Sequence, residues 1–270
     1  GDARVTEPSQ PPQSQPAPPA KTARPKRLAE WPFVLPMAVF LVLVFIGGLE
    51  EAWYPWSYAG RTVIVGALLI WLWPKLKVDI EWTHLKLGVL FGVIGLVQWI
   101  GTDKLVQAVR NQFPDENWAG DFLWTWIVSG VRPGEGYNPV ENIVEPAGWW
   151  VFIAFAIVRF LGPVLVVPVM EEVFWRDWLW RSLIAPANWR LAKLGEPELI
   201  AWLGTSFAFA LVHPQRLVSV VWALLIAWLL MKTRSLGAVI VAHAVTNLLL
   251  GVYVLVATLG FGYEAEWYFW

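Results

Sequence analysis

Three pairs of side chains in this sequence stand at a spacing that a helix turns into neighbours. Glu172 and Arg176, Phe209 and His213, and His243 and Asn247 are each four residues apart within apolar runs. Both members of each pair therefore face one side of a helix. Glu171 is turned about 100° from Glu172 and is expected to face something else. A carboxylate held in low-dielectric surroundings has a raised proton affinity, which suits it to take a proton from water. Glu171 and His213 could hold and deprotonate a water molecule. His243 and Asn247 could donate hydrogen bonds to the oxyanion formed as that water attacks a peptide carbonyl. Glu172 paired with Arg176 would brace the helix. A nucleophilic serine fits less well, because only Ser206 stands near these faces. Structural readings exist beside the chemical ones: a neutralised Glu–Arg pair, an interfacial His213 beside Pro214 and Gln215, and a His243–Asn247 pair that joins helices.

These groups must be positioned by spans across a membrane. Of 270 residues, 57% are hydrophobic and 15% charged, and the mean hydropathy is +0.51, which marks an integral membrane protein. Ionisable groups inside such spans are expensive and read as functional by default. The formal net charge of -1 argues against nucleic acid as a partner, and the lack of cysteine excludes disulfides and thiolate metal sites. The 21 Trp are read as interfacial belts and packing, and His84 beside Lys86 as interfacial.

Apolar runs predict an all-α bundle of about seven spans, near 33–49, 60–74, 84–101, 149–167, 199–213, 217–231 and 236–257. An eighth hydrophobic element is expected at Glu171, separated from the fourth span by a kink or break at Gly162, Pro163 and Pro168. The stretch 118–131 is expected to be interfacial or partly inserted. Residues 1–30 are expected to form a disordered, Pro-rich, basic tail, and the missing initiating Met suggests trimming. Residues 31–148 would hold the first spans and a long extracytoplasmic loop (102–148), and 258–270 a C-terminal tail. Lys21, Arg24, Lys26 and Arg27, then Lys75 and Lys77, then Arg181, Arg190 and Lys193, then Lys232 and Arg234 alternate with acidic loops holding Glu50, Glu51, Asp103, Asp115, Glu116, Asp121, Glu135, Glu141 and Glu145. Arg61, Lys104, Arg110, Arg132 and Arg216 are exceptions on the acidic side. The positive-inside rule then puts the N-terminus in the cytoplasm and the C-terminus outside.

Glu-Glu-x-x-x-Arg at 171–176, Phe-x-x-x-His at 209–213 and His-x-x-x-Asn at 243–247 resemble, in order, the three motifs of the CPBP family, which contains the CAAX prenyl endoproteases and the bacteriocin-processing and self-immunity (Abi) proteins. The resemblance covers about 149–257 and implies an intramembrane protease core there. It implies an endopeptidase that cuts near the C-terminus of a membrane-anchored protein or peptide in the lipid bilayer. Glu171 and His213 would act on water, His243 and Asn247 on the oxyanion, with Glu172, Arg176 and Phe209 in support. No cofactor is needed for that mechanism. A divalent metal such as zinc would have to be held by Glu171, His213 and His243. The closing region further resembles an exosortase-associated, CAAX-protease-related branch, which implies a bacterial inner membrane. Asp177 stands where many members have Gly, Trp175 replaces the common Phe, and the gap between the first two motifs is long. Against the protease stand a non-catalytic scaffold or immunity partner and a proton-coupled transporter using the same polar cluster.

Overall fold

The structure, a computed structural model, describes residue 1 and residues 30–78, 80–113, 118–129, 131–132, 134 and 136–269. The expected tail, with Lys21, Arg24, Lys26 and Arg27, lies outside the described residues except for Gly1 and Glu30, as do Asp115, Glu116, Pro133 and Glu135. Among the described residues seven apolar helices form a bundle: α1 (Trp31–Gly47), α2 (Tyr54–Leu76), α3 (Leu85–Gln112), α4 (Trp149–Ile184), α5 (Leu199–Leu211), α6 (Arg216–Thr233) and α7 (Leu236–Leu255). No strand occurs among the described residues. Five of the seven, α2, α3, α4, α6 and α7, are long and apolar enough to cross a membrane, while α1 and α5 are shorter apolar helices.

Three elements differ from the sequence expectation. The second span begins at Tyr54, with Pro55 in its first turn, because Arg61 can lie inside a helix when its guanidinium is stacked on rings. It sits 4.2 Å from the centroid of Tyr58. The third runs on to Gln112, so Asp103, Lys104 and Arg110 are helical residues and not loop residues. Where a kink or break is expected before Glu171, the helix is continuous: α4 runs for 36 residues. Widened π turns at Gly162–Val166 and Val173–Leu179 carry it past Pro163 and Pro168, because such a turn accommodates the carbonyls that a proline leaves without an N–H partner. The expected eighth element is thus the far part of the fourth.

The stretch expected to be interfacial forms a short helix, Trp118–Phe122, and a π turn, Leu123–Val128. Trp124 in that turn is buried and donates its indole N–H to the Phe113 carbonyl at 3.0 Å. Of the expected C-terminal tail, Glu264–Phe269 is a 3-10 turn with Trp267 buried.

The closest helix contact joins α3 to α7. A Cβ added at Gly88 would lie 2.6 Å from the Ala238 carbonyl oxygen, and one at Gly92 would lie 2.9 Å from that of Ala242. Without side chains there, the two backbones touch, as small residues allow between membrane helices. Thr246 uses this closeness, donating to the Gly92 carbonyl at 3.1 Å. At one end of the bundle, Lys77, Arg181, Arg190 and Arg234 surround a cavity of about 280 Å³. Asp177 neutralises Arg181 there at 2.7 Å.

Candidate active site

Between its two π turns, α4 has a short α-helical stretch, Val167–Glu172, that carries both glutamates. Both are buried, at 3% and 0% exposed, together with Arg176 at 1% and His243 at 4%. Charges at that depth persist only when paired or hydrogen-bonded. Arg176 supplies the pairing for Glu172: its Nη1 donates to Oε1 at 3.3 Å, and its Nε lies 3.2 Å from Oε2. The second contact is close enough for charge but off the angle of a hydrogen bond. The guanidinium also lies 4.9 Å from the centroid of Phe209.

A single imidazole meets both carboxylates. His243 Nδ1 is 2.8 Å from Glu172 Oε1, and its Nε2 is 3.9 Å from Glu171 Oε2. The expectation that Glu171 faces away from the partners of Glu172 is therefore corrected. Consecutive glutamates diverge, but the two nitrogens of an imidazole lie on different edges of the ring and reach both. Glu171 Oε2 accepts no hydrogen bond among the described residues.

His213 follows α5 in a turn, with its ring stacked on Phe209 at 4.1 Å between centroids. Its Nδ1 lies 2.8 Å from the Phe209 carbonyl oxygen. A carbonyl only accepts, so Nδ1 carries the hydrogen and the Nε2 lone pair is left open. Asn247, one turn beyond His243, donates from Nδ2 to the Pro163 carbonyl at 2.7 Å. In a π turn that carbonyl would be met by the N–H of residue 168, which is a proline. One amide hydrogen of Asn247 is thus engaged and the other remains.

His213, His243 and Asn247 line one cavity of about 140 Å³, walled by Phe209, Trp222 and Trp99. Trp222 closes it with its ring 4.7 Å from His243 and 5.2 Å from Phe209. Glu171 borders the group through His243. Among the described residues no group of three His, Cys, Asp or Glu side chains gathers as metal ligands.

Phe209 apart, sequence reasoning does not single out the walls of this cavity. Trp222 falls among the tryptophans expected to form belts and packing, and Asp103 among the acidic loops. Asp103 is wholly buried and accepts from Gln215 Nε2 at 2.8 Å and from the Tyr268 hydroxyl. Burial and that hydrogen bond to the Asp103 carboxylate hold the Tyr268 phenol far above its ordinary pKa, so it stays a donor. Phe269 also lines the cavity.

Residues 151–249 match the family model described as type II CAAX prenyl endopeptidase Rce1-like. No curated protein and no solved structure matches the chain.

Proposed function

We propose that this integral membrane protein, whose residues 151–249 match the family model described as type II CAAX prenyl endopeptidase Rce1-like, cleaves a peptide bond in the membrane-proximal C-terminal stretch of a membrane-anchored protein. One observation carries the reading. Three hydrogen-bonding side chains, His213, His243 and Asn247, converge on one cavity, and beside them Glu171 keeps a carboxylate oxygen without a hydrogen bond. The 3.9 Å between Glu171 Oε2 and His243 Nε2 is a separation that one water molecule bridges.

In the proposed sequence Glu171 takes a proton from water while the open Nε2 of His213 orients it. The hydroxide attacks the carbonyl carbon, and the resulting oxyanion accepts hydrogen bonds from His243 Nε2–H and the free amide hydrogen of Asn247. For Nε2 to donate there, His243 must hold both ring hydrogens, with Nδ1–H given to Glu172. Glu171 then returns its proton to the leaving nitrogen as the C–N bond breaks, giving a carboxylic acid and an amine. Prenylated substrates follow where the host prenylates its proteins.

We place the basic end in the cytoplasm, with the C-terminus outside, in a bacterial inner membrane. The pairs His243–Glu172 and Asn247–Pro163 would equally serve a non-catalytic brace, and the test separates the two readings. Wild type, Glu171→Gln, His213→Ala and His243→Ala are compared in membranes by mass spectrometry for new C-termini on membrane-anchored proteins. Cleavage products lost in each stably folded variant support the protease. The same products in all four would leave the cluster a structural brace.

A further inference from the structure

Asp103 lies in α3, outside residues 151–249, and its carboxylate is wholly buried. Its two hydrogen bonds run to different places. Gln215, which donates at 2.8 Å, is two residues past His213 and caps the start of α6, its carbonyl accepting from the Ser219 hydroxyl at 2.7 Å. The Gln215 side chain also accepts from Trp99 Nε1 at 2.9 Å, which fixes both ends of its amide. Asp103 thereby holds the turn that presents the open Nε2 of His213. The second bond comes from Tyr268, in the turn Glu264–Phe269.

That turn borders the cavity. Phe269 is part of the cavity wall, Glu266 is paired with Lys104 and accepts from the Tyr253 hydroxyl at 3.0 Å, and Trp267 is buried at 2% exposed. Before it come Gly260 and Gly262, the latter at φ +71 with open space where a Cβ would be. A residue at positive φ in open surroundings is suited to take up a backbone rotation. The cavity beneath, about 140 Å³, is below the roughly 300 Å³ at which small-molecule pockets begin. It has room for a few waters, and an extended peptide needs the turn to move.

We propose that Asp103 is a positioning residue of the site, which through Gln215 orients His213 and through Tyr268 latches residues 264–269 as a lid over the cavity. This rests on the protease reading above. The lid opens about Gly260 and Gly262 to admit a peptide, and closing restores the Tyr268 and Lys104 contacts around it.

The chain has no cysteine, so a Lys104→Cys, Glu266→Cys variant joined by a short bis-maleimide closes the lid covalently at one defined place. The bridged full-length protein is expected to cleave at least about tenfold more slowly than the same variant without the bridge. Asp103→Asn is expected to lower kcat by about a hundredfold, as a misplaced catalytic group does, with KM little changed. Adding Gln215→Glu reverses donor and acceptor and is expected to recover most of that loss. Melting temperature is followed throughout. A wild type without cleavage refutes the protease reading itself. With an active wild type, undiminished cleavage by the bridged protein rejects the lid, and a double variant as slow as Asp103→Asn rejects the positioning role.

Discussion

Nδ1 of His243 lies 2.8 Å from Oε1 of Glu172, the same oxygen that accepts from Arg176 Nη1 at 3.3 Å. One carboxylate oxygen thus ties α4 to α7. Glu172→Gln removes the charge that Arg176 and His243 face and leaves Arg176 buried without a counter-ion. Breaking one side of a buried pair is expected to destabilise by about 3–5 kcal/mol. Glu171→Gln removes a carboxylate whose Oε2 has no hydrogen bond and is expected to unfold at or above the wild-type temperature. Thermal unfolding in detergent distinguishes the two, and equal losses would contradict this division of roles.

The contact of α3 with α7 makes a second prediction. A methyl at Gly92 would sit 2.5 Å from the Val245 Cβ, whereas one at Gly101 meets nothing within 4 Å. Gly92→Ala must push the helices apart and is expected to cost about 1–3 kcal/mol. Gly101→Ala, in the same helix, is expected to gain up to about 1 kcal/mol from helix propensity. Denaturant titration of both variants in one detergent is the check, and a Gly92→Ala protein as stable as wild type would show that the backbones do not touch.

Asn247 satisfies the Pro163 carbonyl. Asn247→Asp places a second acceptor against that oxygen and leaves it unpaired, with an expected penalty of about 1–3 kcal/mol on top of lost cleavage. The infrared band of the Pro163 carbonyl, isotope-labelled, should shift to higher frequency. No shift would place the amide elsewhere.

The donor set makes a prediction about metals. Glu171, His213 and His243 do not gather as zinc ligands, so cleavage is expected to persist after dialysis against a chelator. Activity abolished by the chelator and restored by zinc would overturn the water-activating scheme built on Glu171 alone.

The sequence carried the helical bundle, because apolar runs of span length are read directly from composition. It also carried the three pairs at i and i+4, although the helix of the second pair ends at Leu211 and His213 meets Phe209 from the turn beyond it. It could not carry how the helices pair. Gly88 and Gly92 are four apart in an apolar span, a pattern that signals close helix approach, yet neither the partner nor its register is written beside them. Pro163 and Pro168 signalled a break because a proline removes a backbone donor. The π turns that absorb both prolines depend on the neighbours that hold them. Asp103 looked like an exposed acid in a loop, since its partners, Gln215 and Tyr268, are more than a hundred residues away along the chain.

Glu171 and Arg181 sit on the same helix, ten residues apart, which is roughly 15 Å at 1.5 Å per residue. Arg181 belongs to the basic end of the bundle, so the Glu171 carboxylate lies about half the thickness of a hydrocarbon slab of about 30 Å below that surface. A chain cut there must be able to leave water and run at that depth. Partitioning into the bilayer then sorts proteins before any side chain is recognised, and a soluble polypeptide with the same sequence at its cleavage point escapes.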